Sequence, residues 1–303
     1  MAVYVVGDFL RETRLRKGYT QEEVSYGICT PASLSRIENG AQKPGRLILE
    51  KLFERLGTEN NLFNSFVSKE EMELYLEIQT LIRNVTDGDL QRIEEQIDIV
   101  DRLTKNTSEL ERQSLFWAKG ELATQKYGNN GKAMEYLMKA IQITLPDFDG
   151  KNPLRNHLLT FDEITIINSI AVRHAENTSL LTAIQLDMWL KEYMENRVVD
   201  GRMKTAKYPM ILYNLSCWFG SEHCHKEALD IANQGVDFCV KYGNLVAFPR
   251  LILNQGIASV ELGQIDNAKK YLHQAVTIFE TMKRMDTVEY ITTWCRNEYQ
   301  IEI

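Results

Sequence analysis

Apolar residues along this chain recur at i, i+3, i+4 and i+7, and nowhere do they alternate as in a half-buried strand. A sequence that offers only helical faces can bury them only helix against helix, so the fold class predicted is all-α. Six prolines and 17 glycines in 303 residues leave the helices long and the breaks few. With 44% hydrophobic and 25% charged residues, the composition is that of a globular protein large enough for two or three units. No 18-residue apolar run predicts a membrane span. The start, MAVYVVGDFLRE, lacks a basic segment before its apolar patch and is not expected to be a signal peptide, which implies a cytoplasmic protein.

From about residue 108 the pattern repeats. Ala133 and Ala140, Ala228 and Gly235, and Ala268 and Ala275 are each seven apart, and small residues at that spacing let antiparallel helices approach closely. Asn254, Gly256, Gly263, Ala268, Leu272 and Ala275 form the clearest copy. Trp117, Gly128, Ala133, Ala140 and Pro146 form the first. These spacings resemble the 34-residue tetratricopeptide repeat, a helix–turn–helix unit that stacks into a right-handed solenoid. The segment 182–196 is expected to pair with Asp162–His174, and residues 285–300 to cap the stack.

The front 60 residues are punctuated differently. A first helix over about Asp8–Arg16 stops before Gly18. Thr20-Gln21-Glu22-Glu23 is a capping box that opens a second helix. Thr30-Pro31 is an N-cap followed by proline at the first helical position, where the missing N–H costs nothing. Asn39-Gly40 is a left-handed stop, and a fourth helix over about Arg46–Leu56 ends at Gly57. Phe9, Leu10, Leu15, Val24, Ile28, Leu34, Ile37, Leu49, Leu52, Phe53 and Leu56 are expected to close one small core. Residues 69–105 predict two longer helices broken near Thr86-Asp87-Gly88. The boundaries expected are therefore 1–66, 67–106 and 107–303.

The order TQEEV, a short turn, then ASLSRIENG resembles the Cro/phage-repressor type of DNA-binding helix-turn-helix over about residues 8–57. The turn is one residue shorter than in the phage repressors, and Ser25 stands where alanine is usual. In the third helix Leu34 and Ile37 must face the core, which leaves Ala32, Ser33, Ser35 and Arg36 outward on the part that enters the major groove. Arg36 is the outward residue able to pair bidentately with guanine O6/N7. Thr30, Pro31 and Ala32 lie at the helix start, where Pro31 or Ala32 can touch a thymine methyl. Gln21 is expected on a phosphate, and Lys43 and Arg46 further along the backbone. By the family pattern, Arg14 and Glu38 form an internal ion pair. Net charge is −7, but residues 1–60 carry nine Lys/Arg against eight Asp/Glu, so the acidity lies behind the segment expected to meet DNA.

In the repeats, Asn214 and Asn254 are 40 residues apart at equivalent register, and Asn168 is within one position of it. An asparagine amide can both donate to and accept from a peptide main chain. Tyr213 and Arg250 lie on the same predicted helices and are candidates to read a side chain or a terminal carboxylate. The plain alternative is that these asparagines bond between helices.

The whole chain resembles the RRNPP family of quorum-sensing transcription regulators, especially its PlcR and Rgg branches. That resemblance implies a homodimer that binds an operator in duplex DNA and is controlled by a short signalling peptide held on the concave face of the repeats. Two other readings stay open. The repeats bind a protein partner or only dimerise, or they act as a sequestration module behind a vestigial front domain. No P-loop, GxSxG or HExxH motif is present, so neither catalysis nor a cofactor is expected. The five cysteines are irregularly spaced and expected to be reduced. His223-Cys224-His225 predicts a turn rather than a metal site.

Overall fold

The computed structural model describes residues 6–58, 69–105 and 107–303. Fifteen α-helices are found among the described residues, and no strand. The start of the chain and much of the join between the fourth and fifth helices lie outside the described residues, as do the outer ends of the 1–66 expectation.

The front domain comprises α1 (Val6–Arg16), α2 (Gln21–Ser25), α3 (Pro31–Glu38) and α4 (Arg46–Arg55). Its limits sit where the capping chemistry puts them. Thr20 and Glu23 form the reciprocal capping box, Thr30 accepts from the Ser33 N–H ahead of Pro31, and Gly40 is left-handed at φ 70°. Leu10, Val24, Leu34 and Leu52 are fully buried in its core. Leu15 is not in that core: it is 57% exposed. Five positions beyond Leu10 it points about 140° away round the helix, and Thr13 and Arg14 take the inward places.

Behind the front domain come α5 (Lys69–Asp87) and α6 (Leu90–Leu103), broken at Gly88. A single 3-10 turn, Glu109–Arg112, leads into the pair α7 (Gln113–Gln125) and α8 (Asn130–Gln142). Then follow α9 (Phe161–Asn177), α10 (Leu180–Asn196), α11 (Gly201–Ser221), α12 (His225–Tyr242), α13 (Phe248–Glu261), α14 (Ile265–Thr281) and α15 (Met285–Tyr299). Helix–turn–helix pairs of this kind form a tetratricopeptide-like α-solenoid, as the spacing predicts. The small residues of the matched register lie inside, with Ala133, Ala140, Ala268 and Ala275 fully buried. The chain divides into two compact units, one of residues 1–189 and 195–200, the other of residues 190–194 and 201–303. In the second unit, Val276, Phe279, Val288, Ile291 and Cys295 make a core that α15 closes. Among the described residues no helix is long and apolar enough to cross a membrane.

Within the first unit the front domain is docked, not tethered. Leu110 and Leu158 enter its apolar core from outside the domain. On α4, Lys51 is only 2% exposed and donates to Asp162 at 2.7 Å and to Gln113 at 2.8 Å. One turn on, Arg55 bonds Glu163 at 2.7 Å and also donates to the Tyr26 carbonyl. Between them, Glu54 accepts the Phe161 N–H at the start of α9 at 3.0 Å. At Gly27 a β-carbon would lie 2.0 Å from the Thr144 carbonyl, and φ is +67°, so only glycine fits this turn.

Burial pushes the Glu54 carboxyl up to about 8, with Lys51 opposing and Asp162 adding to the shift. A carboxyl that holds its proton in the fold but loses it at its usual value of 4.5 when unfolded takes up a proton on folding. Stability from this group is therefore greatest below pH 4.5 and falls as pH rises towards 8. Denaturant midpoints measured at both ends of that window should converge in Glu54→Gln, which has no proton to lose.

Candidate nucleic-acid interface

The α2–α3 pair owes its geometry to one carboxylate. Glu38, at the end of α3, is 1% exposed. It receives Arg14 Nε at 2.7 Å and Nη2 at 2.8 Å from α1, and Gln21 Nε2 at 2.7 Å from α2. Arg14 spends another N–H on the Tyr19 carbonyl. Hydrogen bonding to Glu38 holds the Arg14 guanidinium above its ordinary range despite burial. The ion pair expected between Arg14 and Glu38 is present, and Gln21 belongs to it. Its amide nitrogen turns inward to Glu38, where the sequence pattern placed it on a phosphate.

With Leu34 and Ile37 buried, α3 exposes Pro31, Ala32 and Arg36, with Ser33 and Ser35 half-buried beside them. Thr30, Ser33 and Arg36 form a chain of hydrogen bonds along this face. Lys43 is exposed in the following loop. Arg46 is placed differently from the expectation of an open backbone grip. It is half-buried, with its guanidinium 4.0 Å above the Tyr75 ring of α5 and its N–H bonded to Glu71 at 2.7 Å. The α2–α3 turn rests on the segment after α8, within the same unit. Tyr26 bonds Asp147 and packs edge-on against His157 at 4.7 Å, and its hydroxyl is pushed up to about 12 by burial and then by Asp147.

Of the residues expected to hold a peptide, the second unit brings three together. Arg250 on α13 lies over the Tyr213 ring of α11 at 5.7 Å. Asn254, 9% exposed, donates to Ser216 at 2.6 Å and to Cys217 at 3.1 Å. Asn214 is half-buried on α11. In the first unit Asn168 donates to both oxygens of Asp187, at 3.2 and 3.0 Å, and so joins α9 to α10. The amides of Asn168 and Asn254 are thus engaged between helices, the plainer of their two readings. Burial raises the Cys217 thiol, Asn254 only partly opposing it, and pushes the Tyr213 hydroxyl up to about 12. All five cysteines are free. Among the described residues no group of three His, Cys, Asp or Glu could hold a metal ion, and His223 and His225 flank a tight turn, stacked edge-on at 5.7 Å.

Sequence spacing missed Lys51, Glu54 and Arg55, because charged residues three and four apart on a helix look like a solvated face. It also missed Gln42, whose side chain contacts Arg36.

Residues 5–66 match the family model described as a helix-turn-helix domain. Over 63 residues the chain is 38% identical to the uncharacterized HTH-type transcriptional regulator YqaF of Bacillus subtilis (strain 168), a match covering 20% of this chain and 83% of that protein. The fold as a whole is similar to that of PlcR from Bacillus thuringiensis. Against the complex with the peptide PapR7 and DNA the TM-score is 0.61 at 19% identity, covering 94% of this chain and 98% of that one. Against the apo form it is 0.58 at 18%, covering 95% and 98%. A putative transcriptional regulator from Listeria monocytogenes EGD-e gives 0.51 at 14%, covering 96% of each chain.

Removing Arg14 leaves Glu38 buried with its main partner gone. Arg14→Ala should cost about 3–5 kcal/mol in equilibrium unfolding, the usual effect of breaking a buried ion pair from one side. A loss below about 1 kcal/mol, the value of an exposed pair, would remove Glu38 from its central place. Through residues 5–66, with the helical-repeat body behind them, the chain belongs to the helix-turn-helix family of transcriptional regulators, DNA-binding proteins rather than enzymes.

Proposed function

We propose that this protein is a homodimeric transcription regulator whose affinity for an operator is set by a short peptide held on the inner face of its repeats. The observation that carries the DNA half is the outward row of exposed Pro31, Ala32 and Arg36, with half-buried Ser33 and Ser35 beside them, on a helix whose other face is locked to α1 and α2 through Glu38. Insertion of this row into the major groove puts Arg36 on guanine O6/N7, with Thr30 and Lys43 against the flanking backbone. A dimer doubles the contact and offsets the near-neutral charge of the front domain.

The peptide half is supported by the similarity of the fold to PlcR, a protein crystallised with both a peptide and DNA. In the second unit the candidate contacts are Tyr213 and Asn214 on α11 and Arg250 on the neighbouring α13, with Asn254 beside them. A peptide can change operator affinity only by its differential affinity for two dimer geometries. A second reading, in which the repeats bind a protein partner or only dimerise, is favoured by one observation: the amides of Asn168 and Asn254 already bond neighbouring helices.

Selection from a randomised duplex pool with the full chain gives the operator. On it, Arg36→Ala should lose about 1–3 kcal/mol of discrimination at one guanine, and Lys43→Ala should weaken all sequences alike, lowering the salt slope by about one. Absence of any salt-dependent DNA binding by the full chain defeats the reading. For the peptide, fluorescent short hydrophobic peptides should bind the full chain and lose affinity in Arg250→Ala. No binding from such a set favours the second reading.

A further inference from the structure

Arg36 is not a loose surface side chain. Its Nε donates to Gln42 Oε1 at 3.1 Å, and its Nη2 donates to Ser33 Oγ at 3.2 Å. Ser33 Oγ in turn accepts from Thr30 Oγ1 at 3.0 Å. Gln42 is itself fixed. The left-handed Gly40 turns the chain back on α3, and the N–H groups of Ala41 and Gln42 donate to the Arg36 carbonyl at 2.8 and 3.2 Å. Main chain and side chain of Gln42 therefore both bond one residue, Arg36.

The chemistry of the guanidinium makes this selective. Nε–H and the neighbouring Nη2–H form one edge of the planar fork, and Gln42 and Ser33 take that edge. The free end, Nη1 with the second N–H of Nη2, carries two parallel donors at the spacing of guanine O6 and N7. Held in this way, the fork loses little side-chain freedom on docking and offers its end, not its side, to the base.

We infer that Gln42, which lies outside the recognition helix, is a specificity-determining residue that positions Arg36 for guanine. This rests on Arg36 being the base reader, and the test separates the two claims. On the duplex selected from the randomised pool, the full chain and the variants Arg36→Ala, Gln42→Ala and the double variant are compared. Each is measured on that duplex and on a copy with the read guanine replaced by adenine, across a salt series. Gln42→Ala should lower the guanine preference by about three- to tenfold, part of what a bidentate pair supplies. It should leave the salt slope unchanged and have no further effect on preference in the Arg36→Ala background. If Arg36→Ala removes the preference but Gln42→Ala does not, the positioning role is overturned while the reader stands. If Gln42→Ala weakens both duplexes equally and lowers the salt slope by about one, Gln42 is a phosphate contact and the inference is wrong. If Arg36→Ala itself leaves the preference intact, both claims fall.

Discussion

The placement of the outward face of α3 depends on the burial of one carboxylate. A buried Glu38 without partners would cost several kcal/mol, so the three helices around it are obliged to deliver donors. Arg14 comes from α1, Gln21 from α2, and Glu38 itself ends α3. Because the carboxylate accepts a bidentate fork, the angle of α3 to α1 is specified as well as their distance. The outward face of α3 is then whatever the inward face leaves over, and Arg36 stands on it.

A second set of charges performs a similar service on a larger scale. Lys51 and Arg55 sit on the side of α4 away from solvent and meet Asp162 and Glu163 at the first turn of α9. Burial alone would lower the Lys51 ammonium, but Asp162 and Glu54 outweigh it, and the net shift is upward. Acidic residues in the first turn of α9 also favour that helix end, so the same two side chains start one helix and seat another.

Local order was legible in the sequence wherever a single residue carries the reason. Thr20, Thr30-Pro31 and Asn39-Gly40 mark helix ends by their own chemistry, and the structure puts the ends there. The spaced alanines announced close helix packing, and they are buried. The Arg14–Glu38 pair was legible only through the resemblance to repressor domains. What stayed hidden depends on residues far apart in the chain. The partner of Lys51 is 111 residues away, and that of Arg55 is 108. Helical periodicity cannot tell such a buried cation from a solvated one. Leu15 shows the reverse: its apolar side chain suggests core, but its helix turns it outward. Asn254 and Asn168 both bond a neighbouring helix, and register alone does not separate such a bond from ligand contact.

The docking of α4 on α9 limits how freely the front domain could be exchanged in evolution. In YqaF the stretch that matches the front domain makes up 83% of the protein. Here its α4 carries two buried cations whose counter-charges are encoded behind it. A recombination that swapped the first 66 residues for those of another regulator would strand Asp162 and Glu163 unless the newcomer brought its own lysine and arginine. Head and body are therefore expected to be inherited as a matched set, which leaves the outward face of α3 free to vary.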